Sequence, residues 1–333
     1  MNAVKQRDIS IDILKCLAAI IITNSHMELL YGDYPFLATG GAIGDALFFF
    51  CSGYTLFLGR DASFFNWYKR RINRIYPTIF AWILICSIFG FNHWNQRGLA
   101  DALINGGEWF ITCIMIYYII LWFVKRYAVN HLEWVFGSSA GVVILWYWIF
   151  GICDITGGNN IYGGCYFKWV FFFLFMLLGA IMGLRRKQCR VSANYNLLFN
   201  VAGLLLTTIA FYGLCWFKYH DGWYDYLQIS SIVPLMGVCL FFYRTCNTRL
   251  MAKVYNNKFL GKCIRFIGAL CLEIYLVQSV LLTDKMNAIF PLNLVVMFLI
   301  IIAVAYLLRC LSRIWSQTFK DGDYDFNEII KLF

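Results

Sequence analysis

A chain of 333 residues that is 61% hydrophobic, 19% aromatic and only 14% charged is excluded from the soluble globular class, because a soluble fold needs a polar shell that this composition does not supply. A polytopic membrane protein needs no such shell, since lipid covers its outer surface. The net charge of +10 invites a nucleic-acid partner, but the basic residues fall in short segments between apolar runs, which is topogenic placement and argues against one.

The apolar runs predict ten spans, at 9–30, 41–59, 72–90, 109–124, 134–150, 166–184, 196–217, 226–243, 264–282 and 291–315. With the N-terminus in the cytoplasm, twenty-three of the 28 lysines and arginines fall on inner segments and four on outer ones, Lys15 lying within the first span. That bias orients the chain with both termini cytoplasmic and sets the basic loops against anionic lipid headgroups. The expected fold is all-α, one bundle of about ten transmembrane helices. Residues 1–315 form a single membrane domain and 316–333 a cytoplasmic tail. The first span carries Asp12 and Lys15 in its apolar run, without a small-residue cleavage site after it, and so reads as a span rather than a signal peptide. Pro77 and Pro234 lie within spans and predict kinks. Most cysteines lie in spans as small hydrophobes, and none has metal-ligand spacing. Cys153 and Cys165 bracket an outer loop, and an oxidising compartment on that side would permit a disulfide between them or leave both as free thiols.

In the first span, KCLAAIIITNSH runs from Lys15 to His26. Eleven residues at about 100° each complete three turns plus roughly 20°, and Asp12 returns to within about 40° of His26, so the three groups share one helix face. Charges within a span belong on the bundle interior or a watered cavity. Asp12 and Lys15 are three apart, so they either pair with each other or act directly in binding. His26 sits near the outer edge, either as an interfacial polar group or as a catalytic imidazole.

The second span opens GGAIGDALFFFCSGY, with Asp45 near the level of His26 and Ser52 lower. Gly41, Gly44 and Gly53 permit close helix approach. The fourth span starts GEWFI, placing Glu108 at another outer helix end. His26, Asp45 and Glu108 are either three separate interfacial groups or one cluster in which a carboxylate orients the imidazole. On the inner side NWYKRRINRIYP puts Arg71 and Arg74 three apart at the start of the third span. That arrangement suits phosphate oxygens as well as plain topogenic charge. In the ninth span Glu273 stands near mid-membrane, with Gln278 five residues on. Such a glutamate is either functional or a buried link to another span.

Four separated pieces resemble the acyltransferase-3 membrane proteins, which include bacterial polysaccharide O-acetyltransferases. These are a basic residue followed after ten positions by histidine (Lys15 and His26, after the aspartate of DILK), LFFFCSGY, RINRIYP and LEIYLVQ. The family usually has arginine at Lys15 and histidine at Gln278. WFITCIMIYYI also looks like the family's fourth span. The resemblance implies an integral protein of a bacterial inner membrane, with no permanently bound cofactor. It implies acyl-coenzyme A, above all acetyl-coenzyme A, as co-substrate, and a glycan or lipid-linked sugar as acceptor. It implies His26 as the catalytic group, with Asp45 or Glu108 orienting it. Lys15, Arg71 and Arg74 would hold the donor, and Asp12, Ser52 and Glu273 would support. Direct transfer and an acyl-histidine intermediate both fit one imidazole. Trp94, Trp109, Tyr162 and Trp223 either stack on sugar or belong to the aromatic belt. The competing class is a glycan or solute transporter without chemistry, although the chain lacks the paired, interrupted halves common in such folds.

Overall fold

The computed structural model describes residues 8–91, 98–105, 109–150, 161–162, 166–189, 195–220 and 228–333. Among them nine helices are long and apolar enough to cross a membrane, and two further helices, bent by 74° at a break, make a tenth crossing if the pair is one broken span rather than a re-entrant loop. The protein is an all-α, multi-pass integral membrane protein. In chain order the main helices are α1 (Ile9–His26), α2 (Gly41–Phe57), α3 (Phe64–Phe89), α4 (Trp109–Tyr127), α5 (Leu132–Phe150), α6 (Phe173–Cys189, after a single turn Phe167–Phe171), α7 (Leu197–His220), α8 (Ile232–Cys246), α9 (Leu260–Ala269), α10 (Cys271–Leu281) and α11 (Leu292–Thr318).

The chain divides into two compact units built from interleaved segments, 1–18, 42–59 and 128–265 in the first and 19–41, 60–127 and 266–333 in the second. In the first unit Asp8 caps α1, accepting from the Ser10 amide at 3.0 Å and the Ser10 hydroxyl at 2.6 Å. Its other oxygen accepts from the Tyr54 hydroxyl at 2.5 Å. Helices α2 and α6 cross at glycines. A Cβ on Gly53 would stand 1.8 Å from the Met176 carbonyl oxygen, and one on Gly179 would stand 2.0 Å from that of Phe50. The expected close approach at Gly53 is therefore real, and its counterpart is Gly179. Pro234 is the third residue of α8. Its missing N–H would have no helical partner there, so it starts a helix rather than kinking one, contrary to expectation.

In the second unit α3 begins at Phe64, before the apolar run, and closes on Gly90 at φ 71°. Arg71 and Arg74 therefore lie inside a helix already formed, two to three turns in, instead of opening a span. Pro77 sits inside α3 without ending it. The Thr78 and Ser312 hydroxyls are 3.0 Å apart and tie α3 to α11. The Trp67 indole N–H donates to the Tyr118 carbonyl at 3.0 Å and ties α3 to α4. The ninth predicted span is not one helix, since it breaks between Ala269 and Cys271. The tail folds back onto α11. The Tyr306 hydroxyl donates to the Ile330 carbonyl at 2.6 Å, Arg313 Nη1 donates to the carbonyls of Ile329 and Lys331, and Ile329 is buried.

Candidate active site

Helix α1 runs unbroken from Lys15 to His26, so the shared face expected for the two residues stands, with about 16 Å of axial rise between them. Lys15 is half-buried and Asp12 buried. Asp12 has a partner that sequence spacing could not supply. The Tyr255 hydroxyl, from the segment after α8, donates to its Oδ2 at 2.7 Å. His26 is the last residue of α1 and is exposed.

The loop after His26 is held by asparagines. Asn24 donates through Nδ2 to the carbonyls of Leu37 and Thr39, each at 3.0 Å, and accepts from the Tyr31 hydroxyl at 2.6 Å. Two residues before the imidazole, one side chain thus ties the end of α1 to both limbs of that loop. On the other side Asn287 donates to the Leu29 carbonyl at 2.9 Å, and the buried Asn293 donates to Leu30 at 2.7 Å. Asn293 also donates to Asn287 Oδ1 at 3.2 Å and accepts from the Leu294 amide at 2.9 Å. Tyr34 stacks on Phe290 with ring centroids 5.9 Å apart. The amides serve because they carry both donors and acceptors and add no charge, so they satisfy loop carbonyls at an interface without a desolvated ion.

A different chemistry gathers on α3, α10 and α11. Arg309 Nε lies 3.8 Å from Glu273 Oε1, and Arg74 and Arg313 also act electrostatically on that carboxylate. Glu273 thus has the link to another span that the sequence left open. Arg71 stacks over the Trp67 ring at 4.5 Å and lies 5.7 Å from that of Tyr118. Among the site residues, Arg74 acts electrostatically on both Arg71 and Glu273, which links the three. Gln278 is buried, and its side-chain oxygen has no donor among the described residues.

Asp45 is half-buried on α2, and its charge partner is Lys168 of the turn before α6, itself buried. Ser52 is half-buried beside Gly53 at the helix crossing. Glu108, Trp94, Trp223, Cys153 and Cys165 lie outside the described residues. The Tyr162 and Ser231 hydroxyls are 2.5 Å apart, which engages Tyr162 within the protein.

The sequence profile of the acyltransferase domain, acyltransferase-3, matches residues 8–310. The chain belongs to the acyltransferase-3 family. No curated protein and no solved structure matches it. This membrane acyltransferase thus carries its family domain over all of α1 to α10 and most of α11, and a carrier without chemistry is disfavoured. Sequence reasoning on the acyltransferase missed Asn24, Asn287, Asn293, Tyr255, Arg309 and Lys168. For Arg309 and Lys168 the available signal is a cation within an apolar run.

Proposed function

We propose that this acyltransferase moves an acyl group, acetyl foremost, from cytosolic acyl-coenzyme A to a hydroxyl of an extracytoplasmic glycan or lipid-linked sugar, in a bacterial inner membrane. The observation that carries the reading is an exposed imidazole ending α1, in the same compact unit as an excess of arginine on α3 and α11. One span separates α1 from α3, so the two run in the same direction. His26 ends the one and Arg71 lies near the start of the other, and these ends face opposite sides of the membrane. The positive-inside bias assigns the arginines to the cytosol, where coenzyme A is.

The phosphates of the donor rest on the basic cluster, Arg71 and Arg74 included. The thin pantetheine arm passes Lys15 and brings the thioester to His26. The imidazole takes the proton of the acceptor hydroxyl as that oxygen attacks the acyl carbon. The C–O bond forms, the C–S bond breaks, and the thiolate recovers the proton from the imidazolium to leave as coenzyme A. In this reading Asp45 or Glu108 is the candidate carboxylate for orienting the ring, and Asp12, Ser52 and Glu273 are candidate supporting residues. The test is transfer of label from radiolabelled acetyl-coenzyme A to cell-envelope glycan in membranes, wild type against His26→Ala. Label should reach glycan only with His26 in place. Wild-type transfer by the variant, or no transfer by either protein, would end the reading.

A further inference from the structure

Cationic side chains in spans are normally neutralised by the protein itself, since a charge away from water is costly. Three guanidinium groups, of Arg309, Arg74 and Arg313, act on the single carboxylate of Glu273. Arg313 is engaged elsewhere, because its Nη1 donates to the carbonyls of Ile329 and Lys331 in the folded-back tail. Arg309 is not so engaged. Its Nε edge faces Glu273 at 3.8 Å, while its Nη1 is buried without an acceptor among the described residues. Arg71 repeats the pattern. It rests on the Trp67 ring, which the Tyr118 carbonyl holds in place through the indole N–H, and its Nε is likewise buried without an acceptor. Buried charged donors left unmade are rare and demand an occupant. Two arginines on two helices keep such donors, and Arg74 lies within electrostatic reach of both.

The first turn of α10 adds to this. The break after Ala269 starts a helix of eleven residues here, and Glu273 is in its first turn. The Glu273 carboxylate takes a backbone hydrogen bond in this turn, so the positive end of α10 adds to the field of the arginines around it. We infer that Arg309, on the last span, joins Arg71 and Arg74 in a phosphate-binding site whose occupant is the nucleotide end of the donor, with Glu273 holding Arg309 by its Nε edge so that the Nη edge faces the phosphate. The inference rests on the proposed coenzyme A donor and adds to it a helix and a residue remote in sequence from the RINRIYP stretch.

The experiment measures calorimetric binding of coenzyme A, without an acyl group, to the purified protein in discs of zwitterionic lipid, with pantetheine as the phosphate-free control. Arg309→Gln should weaken coenzyme A binding about tenfold or more and leave pantetheine unchanged. Arg309→Lys, which keeps the charge but loses the fork, should fall between and serves if the glutamine variant does not fold. Arg185→Gln, which lies with its exposed partner Glu133 in the first unit, away from this cluster's own unit, should bind as wild type. Wild-type affinity in both Arg309 variants overturns the inference and leaves the donor reading standing. Failure of the wild type to bind coenzyme A ends both. Loss of co-purifying anionic lipid from the Arg309 variants, with coenzyme A binding unmoved, assigns the cluster to a lipid headgroup and also overturns the inference.

Discussion

The second unit contains two polar regions built on opposite plans. Around the loop after His26 the amide contacts are closed. Asn24, Asn287 and Asn293 meet four loop carbonyls, and Asn293 meets Asn287, at 2.7–3.2 Å. Around Glu273 the groups are charged and the contacts stay open, with Arg71 Nε and Arg309 Nη1 buried and unmatched among the described residues. A closed neutral network fixes geometry, whereas an open cationic one waits for a ligand. Under the proposed function, the first region would hold the reacting group still and the second would receive the donor.

The largest effect expected is at the reacting group. His26→Ala should lower transfer by about 10²- to 10⁴-fold with folding intact, read from turnover beside a thermal melt. A variant that keeps a tenth of wild-type turnover would remove the chemistry from that end. Next comes the open region. Arg74→Ala or Arg71→Ala should raise the donor KM about tenfold while kcat holds, because a phosphate contact remote from the thioester contributes equally to ground and transition states. An unchanged KM would make these arginines topogenic only. In the closed region Asn293→Ala strips the Leu30 carbonyl of its donor and should cost about 1–3 kcal/mol of stability, lowering kcat several-fold with donor KM unmoved. A shift in KM instead would dissolve the distinction between the two regions. The smallest effect is expected on α1. Lys15→Arg keeps the cation and should retain most turnover, and a dead but well-folded variant would show that the α1 face has been misassigned.

Much of this architecture could be read from the chain. Long apolar runs with basic residues between them marked each crossing, because membrane insertion imposes length and composition on a span. The run IRFIGALCLEIYL reads as one mostly apolar span, and Gly268 is its one local hint of the break after Ala269, too weak a signal to place it. The early start of α3 escaped for a related reason, since a helix does not end where its apolar run does. Arg71, Arg74 and Glu273 carried a signal as charges near or inside spans, and Arg74 links the other two electrostatically. Asn24, Asn287 and Asn293 carried none, being small neutral amides whose partners lie up to 263 positions away. Lys168 and Arg309 were visible but misread, since a count of charges by face cannot tell a buried cation from a topogenic one.

The glycine crossing of α2 and α6 bears on how the molecule comes into being. Gly53 and Gly179 are separated by three intervening spans, yet their backbones touch so closely that one added methyl on either would collide with a carbonyl. During synthesis α2 enters the bilayer long before α6 exists, and its glycine groove must then be filled by lipid tails. The first half of the protein therefore waits in an unfinished state until α6 emerges and expels them.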